Sequence, residues 1–106
     1  MIRAEMYWQR LTLEISGHAG YDEIGKDIVC AGASMLADAL AGVLQEAEER
    51  GRVKADWKQV GGKLTIRADP NLGALNEIKA YFRMCCKGLK MLHEQYPKNV
   101  EIKEVF

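Results

Sequence analysis

His18 and Cys30 stand twelve residues apart and are the residues of this chain best equipped for chemistry. The chain holds only two histidines and three cysteines, so the pairing uses scarce residue types. An imidazole can take and return a proton near neutral pH, and a thiol becomes a nucleophile once it loses one. Together they are the minimum equipment for covalent catalysis by cysteine. Gly17 precedes the histidine, and Gly20 and Gly25 punctuate the segment that leads to Asp27 and Cys30. That spacing suits a loop that opens for a substrate and closes over it, and equally a loop that needs turns. Asp27 reads as a helix N-cap whose carboxylate accepts the Cys30 N–H; it could also orient His18 as the third member of a triad. Ser34 lies four residues after Cys30, on the same helix face, where its hydroxyl meets a substrate backbone or bonds back to a helix carbonyl. Taken singly, Cys30 also reads as a small buried hydrophobe and His18 as a loop histidine without a role.

These residues need elements to hold them. Ile2, Ala4 and Met6 alternate with polar residues over 2–7, and Leu11, Leu13 and Ile15 over 11–16, so the first sixteen residues read as a hairpin linked through Trp8-Gln9-Arg10. The glycine-bearing loop 17–27 follows. From Ile28 the period changes: Val29, Ala33, Leu36, Leu40, Val43 or Leu44, and Ala47 form a helical stripe, stopped at Arg50-Gly51. Cys30 then falls in the first turn, where unpaired backbone N–H groups favour a thiolate and could hold an oxyanion. Val53, Ala55 and Trp57, the turn Gly61-Gly62, and Leu64, Ile66 and Ala68 make a second hairpin. Asp69-Pro70-Asn71 opens a second helix with the stripe Leu75, Ile78, Phe82, Cys85, Leu89, Leu92 and Tyr96, ended by Pro97. Val100 and Ile102 make a last strand. The order ββαββαβ predicts an α+β two-layer domain over residues 1–106, with two helices on a mixed or antiparallel sheet of about five strands.

Composition narrows the function classes. With 106 residues and 48% apolar content, the chain can bury one core without disulfides or metals. Fifteen basic and fifteen acidic residues give zero formal charge, against direct nucleic-acid binding, which needs a basic surplus. There is no run of about 18 apolar residues, so no membrane span is expected. The N-terminus has no signal-peptide look, and an odd cysteine count fits free thiols in the cytoplasm. Adjacent Cys85 and Cys86 do not have metal-ligand spacing, so no metal or cofactor is expected. Cys85 belongs to the core stripe, and Cys86 is expected to be partly exposed. His93 reads as a surface residue near a helix end, and Trp8 and Trp57 as sheet or interface residues.

The stretch from Gly17 to Ser34 resembles the ribosomal-processing cysteine protease family (Prp). The similarity lies in Gly17-His18-Ala19, Gly25, Asp27-Ile28-Val29-Cys30-Ala31 and Ser34. Chain length and element order agree along the whole sequence, and Asp22 departs from the small residue expected there. The resemblance implies Cys30 as nucleophile, His18 as general base and acid, Asp27 as a supporting residue, and Ser34 with Gly17 at the substrate. It implies a gating loop around Gly20 and Gly25, a homodimer, and cytoplasmic removal of a short N-terminal extension from ribosomal protein twenty-seven of the large subunit. The implied cleavage follows a hydrophobic, aromatic-containing segment. Two other classes stand beside it: a non-enzymatic ribosome-associated or dimeric interaction module, and a thiol redox sensor, the latter disfavoured by the lack of a Cys-x-x-Cys pair.

Overall fold

The computed structural model describes residues 1–23 and 25–106. Seven elements follow in the expected order: β1 (Ile2–Tyr7), β2 (Thr12–Ser16), α1 (Ile28–Glu49), β3 (Val53–Val60), β4 (Lys63–Pro70), α2 (Leu75–Gln95) and β5 (Val100–Val105). The strands form one mixed sheet in the order β3-β4-β2-β1-β5. Three neighbouring pairs are antiparallel, and β1 runs parallel to β5. Gly61 and Gly62 both take positive φ, 57° and 77°, as a two-residue hairpin turn between twisted strands requires.

Both helices cover one face of the sheet, giving two layers. The core lies between them, from Ile2, Ala4 and Met6 of β1, Leu13 of β2 and Ile66 of β4 to Val29, Leu40 and Leu44 of α1 and Ile78, Phe82 and Leu89 of α2. The opposite sheet face carries Arg3, Glu14, Lys63 and Glu101, which meet in salt bridges such as Lys63 Nζ to Glu14 Oε1 at 3.1 Å. By length and composition α1 is apolar enough to cross a membrane. Here its stripe, Val29, Ala33, Ala37, Leu40, Leu44 and Ala47, is buried as core. The two helices approach closely at Gly88, where a side chain would run into Leu36.

The structure shifts several sequence expectations. Leu11 lies outside β2 in the turn, with φ of 43°, and its carbonyl accepts the Ala68 N–H at 3.0 Å. Thr12, outward by alternation, is buried and donates to the Arg10 carbonyl. Asp69-Pro70-Asn71 does not open α2: β4 runs through Pro70, the helix cap is Ala74 without a side-chain bond, and the Asn71 N–H is given to the Arg52 carbonyl. Leu75 is 47% exposed and leaves the core stripe to Ile78. Cys86, expected to be partly exposed, is 2% exposed. It faces the β5 side, near Glu104 and Lys90, because α2 packs against β5 as well as α1 and buries a wider stripe than one helix face.

Candidate active site

Two segments carry the site: the loop after β2 and the first turn of α1. The loop starts at Gly17, with φ of 85°, where a side chain would strike the Met1 carbonyl oxygen. This glycine is required by the backbone whatever else it touches. His18 follows, exposed to solvent, and then Ala19, whose methyl is buried.

Asp27 is the local organiser. It is 7% exposed, and its carboxylate accepts four backbone N–H groups. Oδ1 takes Val29 at 2.9 Å and Cys30 at 3.0 Å, the N-cap expected from the sequence. Oδ2 reaches back to Tyr21 at 3.0 Å and Asp22 at 3.2 Å, so the same side chain clamps the loop onto the helix start. Burial works to raise this carboxyl's pKa, and the bonds from Cys30, Asp22, Tyr21 and Val29 outweigh it and hold the pKa below its ordinary value. With both oxygens committed to backbone, Asp27 orders the His18 loop rather than the imidazole.

Those bonds also redistribute the oxyanion donors. The Val29 and Cys30 N–H groups are taken by Oδ1, and the Ala31 N–H by the Asp27 carbonyl at 3.0 Å. The donor facing the sulfur comes from the loop instead: the Ala19 N–H points at Cys30 Sγ at 3.2 Å. Cys30 itself is half-buried. Among the described residues, no hydrogen bond joins its sulfur to the His18 imidazole.

His18 and Cys30 meet as shared lining of two clefts. One, of about 220 Å³, is walled by Ile2, Ile15, Ala33, Ala37 and Leu64, with Gly17, Ser34 and Gln59 also at its surface. The other, of about 270 Å³, is walled by Gly20, Asp22, Gly25 and Asp27. The dyad candidates thus stand where an apolar cleft under the β3–β4 turn joins a cleft under the loop. A larger cleft of about 580 Å³ lies at the far end of the sheet, around Arg10, Thr12, Arg67 and Lys79, and holds neither histidine nor cysteine. Every site residue expected from the sequence lines one of the two smaller clefts. Among the described residues no three metal-ligating side chains cluster.

The other two thiols are unsuited to reaction. Burial pushes Cys85 up to about 12, with Cys86 adding to the rise, and burial together with Glu104 pushes Cys86 up to about 11. His93, on the surface of α2, sets Nδ1 2.7 Å from the Val100 carbonyl and so fastens the helix end to β5.

Sequence reasoning missed the supports behind the loop. Tyr21 stacks edge-on against Tyr96, ring centroids 5.2 Å apart. Asn99 Nδ2 donates to the Ala19 carbonyl at 2.8 Å. Both partners come from the turn between α2 and β5. A polar residue after Pro97 signals that turn, but nothing local points to a loop 80 residues earlier.

The fold agrees with the comparisons to known proteins. The family described as cysteine protease Prp matches residues 1–101. The chain belongs to that family and is a cysteine protease. Among solved structures it is similar to an essential ribosomal processing protease Prp from S. aureus in complex with a covalently linked product peptide, at 24% identity and TM-score 0.79, covering 99% of this chain and 100% of that one. It is also similar to the same S. aureus protease in complex with a substrate peptide, at 22% identity and TM-score 0.73, covering 99% and 100%. SMU.848 from Streptococcus mutans matches at 26% identity and TM-score 0.71, covering 99% and 94%. No curated protein matches the chain.

Proposed function

We propose that this cysteine protease is an endopeptidase that removes the N-terminal extension of ribosomal protein twenty-seven of the large subunit, with Cys30 as nucleophile and His18 as general base and acid. The observation that carries the reading is the shared cleft. Cys30 is the half-buried thiol of the chain, and it lines both site clefts together with His18. The S. aureus relative is a ribosomal processing protease and holds a covalently linked product peptide, which supports both the substrate class and a covalent step.

Substrate lies extended along the two clefts, across the junction where Cys30 and His18 meet. The apolar cleft between Ile2, Ile15 and Leu64 takes the hydrophobic, aromatic-containing segment before the cut. Ser34 and the Gly17 backbone contact the peptide main chain. His18 takes the Cys30 proton, and the thiolate attacks the scissile carbonyl. The oxyanion forms beside the sulfur, within reach of the Ala19 N–H. His18 then gives the proton to the leaving amine and next draws one from the water that hydrolyses the thioester. In the resting state the imidazole and thiol are not bonded, and the loop bearing Gly20 and Gly25 brings them together over substrate. The enzyme acts in the cytoplasm as a homodimer, without metal or cofactor and without direct nucleic-acid contact.

The buried Cys85 and Cys86 leave the redox-sensor reading no accessible thiol pair, and the family sets aside a non-enzymatic scaffold. The test is incubation of wild type and Cys30→Ala with a peptide copy of the host's ribosomal-protein N-terminus, read by mass spectrometry. One cut by wild type and none by the variant is expected. An uncut peptide with the wild type refutes the substrate; an equal cut by both refutes the nucleophile.

A further inference from the structure

We propose that Asn99 is a positioning residue for the reacting sulfur: its side-chain amide holds Ala19 by its carbonyl so that the N–H on the other side of the same Cα stays aimed at Cys30 Sγ. The inference rests on the reading of Cys30 as nucleophile. Asn99 is itself rigidly held. Its backbone N–H donates to the Tyr96 carbonyl at 2.9 Å, and its carbonyl accepts the Ile2 N–H at 2.9 Å. It thus stands at the joint between the end of α2 and the start of β1, both part of the packed body of the fold. From that joint Nδ2 reaches the Ala19 carbonyl at 2.8 Å. The N–H of the same residue is the one that meets Sγ at 3.2 Å. Ala19 is therefore gripped at its carbonyl by Asn99 and at its methyl by the core, and its remaining polar group faces the sulfur.

The need for such a grip follows from the helix cap. Asp27 takes the Val29 and Cys30 N–H groups, so the first turn of α1 has spent on its own cap the donors that would serve the sulfur. A donor on a glycine-flanked loop, between Gly17 and Gly20, holds its aim only if something outside the loop fixes it. An N–H pointed at sulfur favours thiolate over thiol, and a dipole set in advance spends nothing on reorganisation when charge develops. The titratable groups lining the clefts around Cys30 are His18, Asp22 and Asp27, and Asn99 adds an uncharged contact that none of them duplicates.

The test uses Asn99→Leu, which keeps the bulk without donor or charge, and Asn99→Ala. Iodoacetamide modification of Cys30 is followed by mass spectrometry across a pH series, with Cys85 and Cys86 as internal reporters of unfolding. Expected is a roughly fivefold to tenfold slower reaction of Cys30 near neutral pH, the net worth of one hydrogen bond. Cys85 and Cys86 stay protected. Peptide cleavage should lose kcat by a similar factor with KM unchanged. A wild-type rate in either folded variant overturns the proposal, as does faster modification. Exposure of Cys85 and Cys86 in both variants also overturns it, because Asn99 would then serve the fold alone. Alkylation needs no peptide substrate, so failure of the wild type to cut the ribosomal peptide refutes the substrate assignment and leaves this measurement standing.

Discussion

Replacing Gly17 by alanine separates the backbone's demand for glycine from any contact with substrate. Gly17 has φ of 85°, in the region where a Cβ is disfavoured, and that Cβ would also collide with the Met1 carbonyl oxygen. The conformational strain is about 1–2 kcal/mol. Relieving an overlap with backbone, which cannot rotate aside like a side chain, adds about 1–3 kcal/mol. The expected loss is about 2–5 kcal/mol, a large part of a total stability of about 5–15 kcal/mol. Gly20 is the control, with φ of 67° but nothing within 4 Å of a built Cβ, so Gly20→Ala should lose only the strain, about 1–2 kcal/mol. The assay is urea denaturation of both variants beside wild type, followed by circular dichroism, with slopes compared to confirm that midpoints report stability. A chain of this size should melt roughly 4 °C lower for each kcal/mol lost. If Gly17→Ala is no less stable than Gly20→Ala, the collision with Met1 does not govern this position.

Three further outcomes are expected. His18→Ala should cost peptide cleavage nearly as much as Cys30→Ala while leaving the melting temperature within a few degrees; normal turnover by His18→Ala would remove the dyad. Iodoacetamide on the native protein should label Cys30 alone, and Cys85 and Cys86, pushed up to about 12 and 11 by burial, should react only after denaturant is added; early labelling of Cys86 would contradict its burial. Glu77 is bonded by Tyr81, Arg50 and Arg52, which lower its carboxyl from 4.5 to about 2 against the opposing effect of burial. A carboxyl lowered in the folded state contributes stability above its unfolded pKa and loses it as pH falls. Acid denaturation should therefore lose the Glu77 contribution from about pH 4.5 down to about 2, and Glu77→Gln should flatten the melting-temperature curve across that window; an unchanged curve would show that the cluster does not stabilise the fold.

The local signals at Asp27 and at Gly61-Gly62 translated directly into structure, whereas Asp69-Pro70-Asn71 did not open a helix. Asp27 before an apolar helical stripe is an N-cap because the bond it makes is three residues away, and Gly61-Gly62 is a hairpin turn because positive φ is demanded there and nowhere nearby. The grouping of His18, Cys30, Asp27 and Ser34 was legible for the same reason, since all lie within one loop and one helix turn. Long-range pairing was not. Nothing near Ile2 says that its parallel partner is Val100. The second half of the Asp27 carboxylate, given to Tyr21 and Asp22, depends on how the loop folds back, which no period encodes. Cys86 looked outward because a helix stripe assumes one neighbour, and α2 has both α1 and β5.

The parallel pairing of β1 with β5 makes the loop after β2 depend on residues about 80 positions further along the chain. A ribosome releases the chain from its N-terminus, so His18 and Cys30 emerge long before Val100. Until then β1 lacks one neighbour, the turn carrying Tyr96 and Asn99 has no seat beside Ile2, and the loop that bears Ala19 lacks its contacts to that turn. Contacts between residues this far apart are among the slowest to form. The loop beside Cys30 thus has its outside support only once the region around Val100 has been made and has paired with β1.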